Sequence, residues 1–402
     1  MKHFSDYLQK QTFYLPTTTD LSPVGLIVVI PCFNEPDISE TFRSLQKCTL
    51  PDCNVEIIAV VNSPEYATKE QLLENERTSA FIQQFQSELP PGMNVSTISI
   101  SGIRKKDAGA GFARKVGMDE AVRRFMSLNE KRGIIVSLDA DCLVAENYLT
   151  EIYRIFRSNP RLNVAVIQFE HILPNKESDA VMHRAGFLYE LFLRYYSSAL
   201  KYIGFPYYYH TIGSCFAVTG DAYIKVGGMN KKQAGEDFYF LHKLFPRGHI
   251  AEIKTTTVYP SARISDRVVF GTGPAIRKIA EDKEVSCKTF SFEAFCDLKM
   301  MFDSMDELFK ADDETIRTWY SKLPPSVQDF LHTENYIPAI REISDNCASP
   351  VNFKKRFFGW FNAFMILKFM HFTHPAYYET DDVETQAEKL FLKRQFLGSV
   401  IN

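Results

Sequence analysis

The 402-residue chain lacks the features that mark several common protein classes. Its eight cysteines (Cys32, Cys48, Cys53, Cys142, Cys215, Cys287, Cys296 and Cys347) form no C-x-x-C pair, which removes the usual zinc and dithiol-redox spacings. Cysteines scattered in this way fit a reduced, intracellular protein better than a disulfide scaffold. An excess of one charge is missing too, since 46 Lys and Arg stand against 49 Asp and Glu. No global field draws the chain to nucleic acid, so a charged ligand has to be met by a local site. There is no internal repeat and no low-complexity tract.

Long apolar runs are also absent. The most apolar late stretch, Phe357 to Phe372, contains Asn362 and Lys368 and falls short of the roughly 20 residues that a spanning helix needs. It reads first as a packed helix. Lys354, Lys355 and Arg356 just before it give a second reading, in which 354–372 lies flat on a membrane surface. The opening residues, Met1 to Asp6, carry no apolar core of signal-peptide length. The expectation is a cytoplasmic protein, peripheral on the inner face of a membrane if the second reading holds.

What is present is ordinary globular material, 45% hydrophobic and 24% charged, enough for two or three domains. Gly25 to Ile30 is a β-branched run stopped by Pro31, and Val55 to Val61 is a second run after a helical stretch around Ser39 to Cys48. This βαβ start predicts a parallel sheet. Lys69 to Gln86 and Phe112 to Leu128 read as helices, and Asn94 to Ile100 alternates as a strand. Gly133 to Leu138 is a strand that runs straight into Asp139. In open α/β sheets ligands sit beyond the carboxyl ends of strands, and three such ends converge here: Pro31 to Glu35, Asn62 to Ser63, and Asp139 to Asp141. Past about Arg277 the pattern turns helical. The expected organisation is an N-terminal extension (1–23), an α/β domain (24–277) and a helical C-terminal domain (278–402).

Asp139-Ala140-Asp141 places two carboxylates one residue apart at the end of a buried strand, where both reach one hard divalent cation such as Mn2+ or Mg2+. Alone, such a pair is as well explained by a cap or a solvated turn. Glu236-Asp237 follows the Gly227-Gly228 turn and opens a helical run to Phe245. Acids at a helix start also serve as plain caps.

Company changes the weight of both. Pro31-Cys32-Phe33-Asn34-Glu35, Gly109 to Gly117 with Ala113-Arg114-Lys115, Asp139-Ala140-Asp141, Gly213-Ser214-Cys215-Phe216 through Gly227-Gly228, and Glu236-Asp237 occur in one order over residues 24 to 275. In this the chain resembles the family 2 glycosyltransferases, and five ordered motifs are far more specific than any one of them. The resemblance implies a GT-A-like, Rossmann-type nucleotide-binding sheet with flanking helices. It also implies metal-dependent, inverting transfer of a sugar from a nucleotide-diphosphate sugar to a hydroxyl acceptor.

On that resemblance Asp237 is the catalytic base and Glu236 its neighbour, orienting it or touching the acceptor. Asp139 and Asp141 hold the metal, while Pro31, Phe33, Glu35, Asn62, Arg114, Asp139, Arg263 and Arg267 contact the donor. There are departures. Asn62 stands where the family has acids that meet the nucleotide base, which leaves the base open. Lys115 stands where Asn is common. The Q-x-x-R-W signature of processive synthases is missing, which points to single transfer. Arg263 and Arg267, ahead of Gly271-Thr272-Gly273, read equally as a clamp over diphosphate or as solvated surface arginines. His210 and His249 are weak candidates for extra metal ligands, and Tyr207-Tyr208-Tyr209 is either an acceptor platform or core. The acceptor itself, whether sugar, lipid or aryl, is not specified. Two rivals stand beside this reading: a non-catalytic carbohydrate-binding protein on the same fold, and a sugar nucleotidyltransferase. The second normally has a Gly-rich, Arg-bearing loop where this chain has Cys32-Phe33-Asn34-Glu35.

Overall fold

The computed structural model describes residues 2–14, 23–130, 132–231, 235–264 and 271–401. The chain divides into two compact units, Met1–His183 with Thr211–Lys278, and Arg184–His210 with Ile279–Asn402.

The first unit starts with helix α1 (Lys2–Leu8), then β1 (Leu26–Cys32), α2 (Ile38–Gln46), β2 (Val55–Pro64), α3 (Lys69–Phe85), β3 (Met93–Ile103), α4 (Ala110–Ser127) and β4 (Ile134–Ser137). It continues through β5 (Cys142–Val144), α5 (Tyr148–Ser158) and β6 (Val164–Phe169), and the chain leaves it within α6 (Ala180–Tyr202). It returns with β7 (Phe216–Thr219), α7 (Gly220–Lys225), α8 (Glu236–Leu244) and β8 (Ile250–Pro260), and departs again within α9 (Thr272–Ala280). The eight strands form one sheet in the order β3-β2-β1-β4-β7-β6-β8-β5.

The expected parallel part is there: β1 runs parallel to both β2 and β4, and β2 to β3. The other half is mixed. β7 lies antiparallel between β4 and β6, and β5 is antiparallel to β8. The parallel rule misses this because Phe216–Thr219 offers only four buried residues, three of them apolar, with no directional signal, so its orientation follows from the loop before it. Leu26 to Ile30 are fully buried, as a strand covered on both faces requires.

α4 packs directly on this strand. A Cβ at Gly117 would lie 2.4 Å from a Val29 methyl and 3.1 Å from a Val60 methyl, so glycine there permits the close approach of helix to sheet. On the same helix, Arg124 is buried with Glu56 of β2 and Glu120, its Nη1 2.8 Å from Glu56 Oε2 and its Nε 3.1 Å from Glu120 Oε1. Ser96 of β3 donates to the other Glu56 oxygen at 2.8 Å. Burying these charges is tolerated because each has its partner.

The second unit is helical: α10 (Phe292–Ser304), α11 (Asp313–Ser321), α12 (Pro325–Thr333), α13 (Tyr336–Asp345), α14 (Pro350–Trp360), α15 (Ala363–Thr373) and α16 (Val383–Ile401). Two-residue strands, β9 (Lys288–Thr289) and β10 (Asp381–Asp382), pair antiparallel, a small correction to an all-helical expectation. Its core is aromatic. Phe302 packs edge-on against Phe358 and Phe361 at 5.1 and 5.6 Å, and buried Trp319 donates to Ser304 Oγ at 2.9 Å. Phe357, Phe358, Phe361 and Phe369 are all buried, so these rings of the 354–372 stretch pack inward. No helix among the described residues is long and apolar enough to cross a membrane.

Candidate active site

The site assembles at the carboxyl ends of β1, β2 and β4. Pro31 pairs in register with Val60, Cys32 closes β1 against Val61, and Phe33 follows. Asn34 then adopts φ 49°, a left-handed conformation that Asn tolerates. Its backbone N–H donates to Asn75 Oδ1 at 2.9 Å, and Asn75 Nδ2 donates to the Asn62 carbonyl at 2.9 Å. Asn75 of α3 therefore ties the ends of two strands together, with Asn62 itself buried. Sequence reasoning missed it, because a lone Asn inside a helical run carries no pattern; only its burial marks it.

Arg114 is the centre of the arrangement. It comes from the second turn of α4, its side chain only 2% exposed. Nη2 donates to Asp139 Oδ1 at 2.5 Å, and Nη1 donates to Glu236 Oε1. Burial would weaken the guanidinium's hold on its proton, but Asp139, Glu236 and Asp237 more than reverse this. Its Nε, also buried, has no hydrogen-bond partner among the described residues. A Cβ at position 213 would fall 2.8 Å from Arg114 Nη2, so the Gly213 of the Gly-Ser-Cys-Phe motif is the space the guanidinium occupies. Ser137 of β4 holds that turn by donating to the Gly213 carbonyl at 2.6 Å. Three of the motifs, separated by up to 122 residues, meet at one side chain.

Asp139 and Asp141 are part-exposed, at 36% and 25% of their side-chain surface. Arg263 lies on the far side of the pair. Its Nη1 donates to Asp37 at 2.8 Å, and its Nη2 donates to Glu35 and lies 3.4 Å from Asp141 Oδ2. Arg263 and Glu35 are thus in contact, with Asp37 an unforeseen third member. Arg267 lies outside the described residues. Among the described residues no group of three or more His, Cys, Asp or Glu gathers as a closed metal cage. Two part-exposed carboxylates at a strand end do fit a hard cation that completes its shell with water and phosphate oxygens.

Glu236 and Asp237 open α8 behind Gly235, which sits at φ 68°. Asp237 accepts from the N–H of Phe238 at 2.7 Å. Its carboxyl is pushed up to about 7, first by burial and then by the charge of Glu236, against the opposing pull of Arg114. A carboxylate poised near neutrality beside a fixed cation is what a general base needs. Within the second unit, Tyr208 and Tyr209 stack at 4.5 Å with Lys201 4.8 Å over the Tyr208 ring.

Residues 134–288 match the family model described as Glycosyl transferase family group 2. That segment holds Asp139, Asp141, Gly213, Glu236 and Asp237, and its match to a glycosyltransferase family model agrees with the class that the motifs implied. No curated protein matches the sequence. Among solved structures the chain is similar to TarS of S. aureus in complex with UDP-GlcNAc, at 13% identity over 82% of this chain and 89% of that one, with a TM-score of 0.44. It is also similar to GalNAc-T7 with UDP, GalNAc and Mn2+, at 15% identity over 79% and 55%, with a TM-score of 0.38. At these scores the likenesses are loose.

Proposed function

We propose that the protein transfers a sugar from a nucleotide-diphosphate donor to a hydroxyl acceptor in one inverting, non-processive displacement. The observation that carries this reading is Arg114 bridging Asp139 and Glu236, which brings the donor-side and base-side motifs to one guanidinium. Asp237 takes the proton of the acceptor hydroxyl as that oxygen bonds to the anomeric carbon. The bond from that carbon to the diphosphate oxygen breaks, and its electron pair leaves with the nucleoside diphosphate. Glu236, fixed by Arg114 and with its carbonyl bound by Asn230 Nδ2 at 3.1 Å, sets the start of α8 and so the direction of Asp237.

Asp139 and Asp141 are the residues that would hold Mn2+ or Mg2+, which when bound lends positive charge to the departing diphosphate. Pro31, Phe33, Glu35 and Asn62 line the nucleotide end, with Asn75 setting the two loops around it. Arg263, beside Glu35 and Asp141, would meet the diphosphate, as would Arg267 on the family resemblance alone.

The test is thermal stabilisation by UDP, GDP, dTDP and their sugars, each with and without manganese. One diphosphate should stabilise the protein only with metal, and Asp139→Ala should remove the effect. Asp237→Asn should retain that stabilisation and lose donor turnover. No stabilisation by any of these ligands would turn the reading toward a carbohydrate-binding protein.

A further inference from the structure

The N-terminal helix is joined to this site by a buried polar node. Asp119, on α4 one turn beyond Arg114, is 3% exposed. Its Oδ1 accepts from the hydroxyls of Tyr7 on α1, at 2.6 Å, and Tyr223 on α7, at 2.8 Å. Its Oδ2 accepts from Lys115 Nζ at 2.8 Å. Lys115 also donates to Gln11 Oε1 at 2.9 Å and to Tyr7 Oη at 3.2 Å. This accounts for the departure from the family pattern at position 115: here the side chain binds the N-terminal segment. Gly228 belongs to the same junction, since a Cβ there would meet Tyr7 Oη at 2.0 Å and its φ is 72°. Tyr14 packs edge-on to Phe112, two residues before Arg114, at 6.2 Å.

The node reaches both helices that carry the site. On one side Asp119 and Lys115 belong to α4, which presents Arg114. On the other, Tyr223 packs its ring on Phe240 of α8 at 5.5 Å, and α8 presents Glu236 and Asp237. A buried carboxylate with every partner in place is rigid, and removing one partner leaves an unsatisfied charge that the structure relaxes to relieve.

We propose that Tyr7, Lys115 and Asp119 are positioning residues for sugar transfer: through them α1 fixes α4 relative to α8 and so holds Arg114 on Glu236 beside Asp237. This rests on the reading of Asp237 as the base. Burial and the charges of Glu236 and Asp139 raise the Asp237 carboxyl while Arg114 opposes them, so slippage of α4 removes that opposition. The site then keeps the donor contacts presented by β1 and β2 but loses the alignment of its base.

The test compares Asp119→Asn and Tyr7→Phe with the wild-type full chain. It reads the carboxyl titration of Asp237 by 13C NMR, the turnover of UDP-, GDP- and dTDP-hexoses, and the melting temperature. The expected result in both variants, while folded, is an Asp237 midpoint raised by about half a pH unit or more, roughly threefold in proton affinity. A fall of about tenfold in kcat at little changed KM should accompany it. A purely structural node would lower the melting temperature and leave both quantities alone, and that result overturns the proposal. Tyr7→Phe keeps the ring and loses only the hydroxyl, so it decides the matter if Asp119→Asn does not fold. Asp237→Asn separates the two claims: survival of turnover in that variant removes the base, whereas an unmoved midpoint in Asp119→Asn and Tyr7→Phe removes the node.

Discussion

If Asp237 is the base, turnover must follow its ionisation. With the carboxyl pushed up to about 7, the rate should be half its plateau near that pH. It should fall about tenfold for each unit below, to about 1% at pH 5. Hydrolysis of the donor is a suitable assay, because water serves as acceptor and the acceptor's identity is not required. Arg114→Gln removes the cation that opposes the rise, so the acid limb should move to higher pH while the plateau falls. Asp237→Asn should leave a flat residual rate. Stability gives an independent check on the same group. The folded carboxyl binds its proton more tightly than the unfolded one, whose pKa is about 4. Its contribution is therefore fully present below about pH 4 and is lost as pH rises to about 7, a decline on the order of a few kcal/mol. Asp237→Asn should flatten that decline. An acid limb with its midpoint near 4, or one that persists in Asp237→Asn, would refute the assignment.

Other consequences are as direct. Gly213→Ala places a methyl against Arg114 Nη2, so donor turnover should fall at least tenfold, with a lower melting temperature by calorimetry. Gly117→Ala drives α4 off Val29 and should cost about 1–3 kcal/mol in urea unfolding. Arg124→Met leaves Glu56 buried without its cation, while Glu120 keeps Arg123. It should cost about 3–5 kcal/mol, and much of that should return when Glu56 is changed to Gln in the same chain.

Much of the site was legible because its residues end strands. The runs at Gly25 to Ile30, Val55 to Val61 and Gly133 to Leu138 mark β1, β2 and β4, and Pro31, Asn62 and Asp139 lie at or near their carboxyl ends. Periodicity also found α3 and α4 to within two residues at either end. What it could not show is which side chain crosses between motifs. Arg114 read as a donor contact, and only coordinates reveal it buried between Asp139 and Glu236. Asn75 and Asp119 were invisible for a related reason: an isolated polar residue in a helix looks solvated until the neighbour that buries it is known, and the exposed Asp37 joins the site only through Arg263. The reversal of β7 was hidden because four residues carry no direction.

The fit between Arg114 and position 213 also bears on how such a site changes over generations. Any side chain at 213 collides with a guanidinium that two carboxylates hold in place, so a variant gaining bulk there is selected against for as long as the arginine remains. Loss of the arginine first would strand Asp139 and Glu236 without their shared cation. Each single step is unfavourable and only the joint exchange is open, so the two positions should drift together or not at all.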